Sequence, residues 1–282
     1  MDWDHKQGTI CWRSDGEYFV VSFIDSETIS RKFQIFTRES VLHSTIENDI
    51  NILDAPIAWK FSKSLIASSI YRLNKHEIIF FERNGLAHGG FKLPFNMYEM
   101  KVKGIYWNLD SSILCVWSER VNETVGPKDT ESVVQLWTTS NYHWYLKQSY
   151  NFETKNKITS VSWDPEDSYC LHLFTCTGQY LKYKLGLVTN YCNPAIDYNG
   201  SIAVIDSKNV LITPFKKKII PPPMSHHKLV CDSGVNSIIW SGHNMDFLAY
   251  LMSGDLAYYK YQKVINEQNV EKESYVLNGQ KK

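Results

Sequence analysis

Five tryptophans recur in one local setting, and this recurrence limits the possible folds more than any other feature. Trp12 lies in TICWRSDGEYFVVSF, Trp59 in IAWKFSKSLIASSI, Trp107 in IYWNLDSSILCVWS, Trp163 in VSWDPEDSYCLHLF and Trp240 in IIWSGHNMDFLAYL. Each segment runs apolar-x-Trp, then a polar turn, then a second apolar run, the signature of two strands around a tight turn. Asp15-Gly16, Asp110-Ser111 and Asp164-Pro165 supply the turn chemistry. The tryptophans are 47, 48, 56 and 77 residues apart. The first two spacings sit close to the ~40–45 residues of a four-stranded propeller blade. The third has room for the polar loop Ser118 to Glu131, a fair partner-contact site or simply a disordered insertion. The last hides a degenerate blade, SIAVIDSKNVLITPF, read as two short strands around Ser207-Lys208-Asn209.

Each Trp segment is followed by a second kind of strand, alternating and closed by an aromatic. These are RKFQIFTRES with Phe36, HEIIFFERNG with Phe81, SVVQLWTTSN with Trp137, GQYLKYKLG with Tyr183 and GDLAYYKYQ with Tyr261. Alternation suits half-buried strands, and no long window has helical spacing. The expected fold class is all-β: five to six four-stranded WD40-like β-propeller blades, belonging to parts of two propellers. Residues 262–282 read as a polar, frayed tail. Thr138 follows Trp137 where a WD repeat would carry aspartate, and the Gly-His and Trp-Asp hallmarks are mostly missing. An incomplete ring leaves strand edges open, so marginal stability is expected.

Thirty basic residues balance thirty acidic ones. Binding of nucleic acid through the overall field is therefore excluded, and any contact must be local. Six scattered cysteines without a CxxC pair fit reduced, mostly buried thiols inside a cell. The N-terminus has no apolar core of a signal peptide, and no run of about 18 apolar residues marks a membrane span.

The motifs offer little chemistry. His76-Glu77 opens a strand, where neighbouring side chains point to opposite faces. Ser14-Asp15-Gly16 is turn chemistry and lacks the GxSxG of a nucleophile elbow. Gly89-Gly90 reads as a turn between strands. His226, His227 and Cys231 form the best local metal cluster, but the second ligand pair of a zinc site is missing. No catalytic, cofactor or metal residue is therefore assigned. Lys216, Lys217 and Lys218, and the loop around Lys101 and Lys103, are the local candidates for weak RNA contact; a solvated edge is the plainer reading of the three-lysine run. The PPP run after them cannot lie in a central strand and reads as an external connection. In VVQLWTTSNYHWYLKQ, Val133 to Gln148, the rings could stack bases or fill a core. Apolar residues on both faces of a hairpin around Thr139-Ser140-Asn141 favour the core.

Taken in order, WRSDGEYFVVSF, RKFQIFTRES, IAWKFSKSLIASS, HEIIFFERNGLAHGGFKLPF, VVQLWTTSNYHWYLKQS, SWDPEDSYCLHLF and AVIDSKNVLITPFKKKIIPPPM resemble the largest subunit of the Elongator complex (the IKAP family). The likeness runs from Thr9 to Tyr261 and covers an interior part of that family's N-terminal WD-repeat propeller region, which implies that residues 1–150 are the last blades of a first propeller and 151–261 the first blades of a second. It implies a non-catalytic scaffold that supports carbon-5 modification of the tRNA wobble uridine. Such a scaffold holds an iron–sulfur, acetyltransferase-like catalytic subunit and a second propeller subunit. It implies indirect contact with tRNA, no cofactor, no membrane, a cytoplasmic and nuclear location, and dimerisation through a helical region absent from this sequence. The alternative is a generic WD40-type interaction scaffold of another intracellular assembly.

Overall fold

The structure is a computed structural model that describes residues 8–46, 53–62, 65–96, 98–121, 131–187, 189–190, 200–242, 244–265 and 271–281. Among these residues every regular element is a strand except one 3-10 turn at Thr154–Asn156. The strands form six sheets, and in each the strands pair in chain order. The first sheet is β1 (Thr9–Trp12), β2 (Tyr18–Asp25), β3 (Ser30–Thr37) and β4 (Leu42–Ile46). The second is β5 (Leu53–Trp59), β6 (Leu65–Arg72), β7 (Lys75–Glu82) and β8 (Ala87–Asn96). The third is β9 (Met100–Trp107), β10 (Ile113–Arg120), β11 (Ser132–Ser140) and β12 (His143–Phe152). Three strands make the fourth, β13 (Ile158–Trp163), β14 (Cys170–Thr175) and β15 (Tyr180–Lys184). Three make the fifth, β16 (Ser201–Asp206), β17 (Asn209–Pro214) and β18 (His227–Val230). The sixth is β19 (Val235–Trp240), β20 (Phe247–Leu251), β21 (Leu256–Ile265) and β22 (Glu271–Lys281).

All five repeat tryptophans are the final residue of the first strand in their sheet. The turns behind them close as the sequence requires. Asp15 Oδ1 accepts from the Glu17 amide at 3.0 Å, and Asp110 Oδ1 from the Ser112 amide at 2.9 Å. The closing aromatics Phe36, Phe81, Trp137, Tyr183 and Tyr261 all fall on the third strand of their sheets. The degenerate segment supplies β16 and β17, so six sheets stand where five clear blades and one doubtful blade were expected. Two of them show three strands rather than four among the described residues.

Cores form between successive sheets. Val20, Phe33 and Ile35 of the first pack with Trp59, Ile66 and Phe81 of the second. Cys115, Trp117 and Val134 of the third pack with Val161, Leu171 and Leu173 of the fourth. Val210 and Ile212 of the fifth pack with Ile238, Phe247 and Tyr259 of the sixth. Burying each such aliphatic or aromatic side chain is worth about 1.5–3 kcal/mol. Central strands such as β10 and the root of β11 are buried on both faces, which is why their sequences read as continuous apolar runs.

Several local expectations are corrected. Gly89-Gly90 is not a turn but part of β8, where the register of pairing with β7 shifts. Gly89 has φ +75°, and a Cβ on Gly90 would lie 2.2 Å from the Ile78 carbonyl oxygen. Glycine is needed there for a bulge and a close backbone approach. Residues 262–265 and 271–281 are not a frayed tail: the first complete β21 and the second form β22, and the two strands pair over Leu256↔Lys281 to Ile265↔Glu271. The proline run lies in the connection from β17 to β18, inside one sheet. Cys115, Cys170 and Cys231 are buried free thiols, while Cys176 is exposed; Cys192 lies outside the described residues. Residues 122–130 of the Ser118–Glu131 loop also lie outside them.

One buried polar group stands out. His76 of β7 is fully buried against Tyr71, ring centroids 4.3 Å apart, and neither ring nitrogen has a hydrogen-bond partner among the described residues. Burial first, and then the Lys101 charge, push its pKa down from 6.5 to about 4; a polar contact with the Met100 backbone opposes them only weakly.

The chain divides into two compact units. One comprises residues 1–136 with 150–185, the other residues 137–149 with 186–282.

Candidate interaction surface

Within the second unit, two polar clusters flank the fifth sheet. The first is built on the hairpin of residues 137–149. Its turn is Asn141-Tyr142, both with positive φ (50° and 61°), the requirement of a two-residue primed turn. Tyr142 was expected to begin the second strand; instead it sits at the turn tip and is fully exposed. Val133 to Trp137, Tyr145 and Leu146 follow the core reading and are buried, while His143 and Trp144 are half-buried.

Long-range bonds fix this hairpin in place. His143 Nε2 lies 3.1 Å from Asp206 Oδ2, at the end of β16. The Ser207 amide donates to the Leu146 carbonyl at 2.8 Å, and Lys147 Nζ to the Ile205 carbonyl at 2.6 Å. Asn141 Nδ2 donates to the Pro222 carbonyl at 3.0 Å. Burial lowers the Lys147 pKa, with the Asp206 charge opposing. The hairpin is therefore an anchored element with one projecting aromatic tip, not a stacking platform.

The second cluster surrounds the three lysines. They lie in the exposed turn after β17. Lys217 forms an ion pair with Glu273 of β22. Lys218 Nζ lies 3.2 Å from His226 Nδ1, and the His226 and His227 ring centroids are 4.3 Å apart. Burial, reinforced by neighbouring positive charge, lowers the pKa of both histidines. Burial alone would raise the Glu273 carboxyl, but hydrogen bonds from Lys217 and Tyr261 outweigh it and hold the pKa down. The Lys217 and Lys218 charges are thus directed at neighbours in the fold.

Cys231 does not join this cluster. Its thiol sits 3.2 Å from the Tyr259 hydroxyl, in the core between the fifth and sixth sheets. Cys231 lies just beyond the end of β18, where its amide donates to the Lys208 carbonyl at 2.8 Å. Glu273 and Asp206, which organise the two clusters, were missed in the sequence. Each is remote in the chain from the residues it binds, and no local motif marks it.

Six successive antiparallel meanders among the described residues, packed in pairs face to face, define the class as β-propeller. A family model described as "ELP1 first N-terminal beta-propeller" matches residues 1–166, and a second, "ELP1 N-terminal second beta-propeller", matches residues 204–280. Elongator complex protein 1 of Mus musculus is 43% identical over 270 residues, covering 92% of this chain and 20% of the mouse protein. The Drosophila melanogaster protein of that name is 35% identical over 240 residues (84% of this chain, 18% of the relative). The Saccharomyces cerevisiae one is 33% identical over 262 (87% and 18%). The chain belongs to the Elongator complex protein 1 family, and spans about a fifth of the length of the relatives it matches.

Proposed function

We propose that this chain is a non-catalytic scaffold portion of the Elongator complex. In this reading it supports carbon-5 modification of the tRNA wobble uridine by holding the iron–sulfur catalytic subunit and a partner propeller subunit. The observation that carries the reading is the likeness to Elongator complex protein 1 across most of the chain, at 33–43% identity from yeast to mouse. The fold supports it, because rigid sheets with loops at their ends present surfaces for partners. The cytoplasm, with the nucleus as a second location, is part of the proposal. So is the boundary between the two propellers: the resemblance puts it near 150, the family models leave 167–203 unmatched, and the compact units change over for the last time at 185/186.

Affinity purification of the 282-residue chain from cells tests this. Recovery of the iron–sulfur subunit supports it; its consistent absence, with other partners recovered, favours a generic propeller scaffold. The lysine turn is proposed as a minor RNA-facing patch, weakened by the Lys217–Glu273 pair. If neutral replacements of Lys216, Lys217 and Lys218 leave tRNA crosslinking unchanged, the patch has no such role.

A further inference from the structure

The fourth sheet carries a mixed donor cluster that the interaction surface does not use. Asp164 follows the last residue of β13, and Cys170 and His172 lie two apart on β14. Residues i and i+2 of a strand share a face, so thiol and imidazole point the same way. The intervening turn brings the carboxylate back over them. The Asp164 amide donates to the Cys170 carbonyl at 2.9 Å, and the Cys170 amide to the Asp167 carbonyl at 3.0 Å. Asp164 Oδ1 accepts from the amides of Glu166 and Asp167 at 2.9 and 3.0 Å, which fixes the carboxylate and leaves Oδ2 aimed at His172. Oδ2 is 3.1 Å from His172 Nε2, and Cys170 Sγ is 3.7 Å from the same nitrogen. The three donor atoms all lie within 4.8 Å of one another.

The other imidazole nitrogen is engaged from behind. His172 Nδ1 lies 2.7 Å from the Tyr180 hydroxyl on β15, and the rings are parallel to within 9°. Histidines that bind metal through one nitrogen commonly hold the other in this way.

We propose that Asp164, Cys170 and His172 form a zinc-class metal site, in which a divalent ion clasps the Asp164–Tyr169 turn onto β14. Tetrahedral angles at typical zinc bond lengths place nitrogen and oxygen donors ~3.3 Å apart, and nitrogen and sulfur ~3.6 Å. The chain already holds them at 3.1 and 3.7 Å. Binding releases the thiol proton, so two negative donors and a neutral imidazole balance a doubly charged ion. Cys170 is buried while Asp164 and His172 reach solvent, which leaves an entry path and a fourth position for water. Lys184, opposite Cys170 in the sheet, turns towards Asp167 at 3.8 Å rather than into the cluster.

The other convergent set, His226, His227 and Glu273, makes the contrast. There the ammonium groups of Lys217 and Lys218 already occupy Glu273 and His226. An entering cation would meet two fixed positive charges.

The test is titration of the untagged, chelator-stripped 282-residue chain with cobalt(II), followed by displacement with zinc. One equivalent of cobalt is expected to give tetrahedral d–d absorption and a thiolate-to-cobalt charge-transfer band, both bleached by zinc. Cys170→Ser removes the charge-transfer band. Tyr180→Phe, which leaves all three ligands in place, weakens binding about tenfold, and His226→Ala changes neither. Absence of the band, or its persistence in Cys170→Ser, overturns the site. Should Cys170→Ser fail to fold, Asp164→Asn and Tyr180→Phe decide: unchanged cobalt affinity in both overturns it equally.

Discussion

Acidification should expose the cost of burying His76. The ring is fully buried, neither nitrogen has a hydrogen-bond partner among the described residues, and its pKa falls from 6.5 to about 4. Between those values the unfolded chain binds a proton that the folded chain refuses. Stability therefore rises with pH through this window, is fully present above 6.5, and is lost as the pH falls towards 4. At ~1.4 kcal/mol per pH unit, the ceiling is about 3 kcal/mol, of which about 2 kcal/mol is lost between pH 7 and pH 5. His76→Phe keeps a ring against Tyr71 and removes the titration. Urea unfolding of both proteins at pH 7 and pH 5 isolates the effect. The variant should gain about 2 kcal/mol on the parent as the pH drops from 7 to 5. Overpacking by the larger ring shifts both pH values equally and cancels in that comparison. A difference between variant and parent that is the same at pH 5 and pH 7 would refute the argument, however large it is.

Two further outcomes test the fold. Asp246 is buried and accepts hydrogen bonds from the Tyr258 hydroxyl at 2.5 Å, the Tyr261 amide at 2.7 Å and Asn244 Nδ2 at 2.9 Å. Asp246→Ala should cost upwards of about 4 kcal/mol, because three bonds to a charged group are worth ~1.5–3 kcal/mol each and the partners lose their acceptor; a loss below about 1 kcal/mol in urea unfolding contradicts this network. Gly90→Ala should cost more than about 3 kcal/mol, since its Cβ meets the Ile78 backbone. Gly89→Ala, with open space around it, should cost only the ~1 kcal/mol of a left-handed residue; equal effects at the two positions would show that β8 does not approach β7 as described.

The architecture was legible where chemistry is local. Trp12, Trp59, Trp107, Trp163 and Trp240 end their strands because each is followed by residues that can only turn. The misread segments fail for a physical reason as well. Gly89-Gly90 has the composition of a turn, but the same freedom from a side chain serves a bulge inside a strand. Residues 271–281 are polar because much of β22 faces solvent, yet pairing with β21 orders them. The clusters were less visible. Lys216–Lys218 and His226–His227 could be seen as runs, but Glu273 joins them only through strand pairing of β22. Cys170-x-His172 is a pair on one strand face; Asp164 completes it only once the turn is folded.

The hairpin of residues 137–149 gives the chain an interleaved order: first unit, second unit, first unit, second unit. No single cut in the polypeptide therefore yields both units whole. A fragment ending at 185 carries a hairpin stripped of Asp206, Ile205 and Pro222, and a fragment starting at 186 leaves those groups unbonded. Supplied as a separate peptide, residues 137–149 would be the natural complement of the second fragment. Dissection of this protein by truncation has to respect the threading of its backbone, not the order of its sheets.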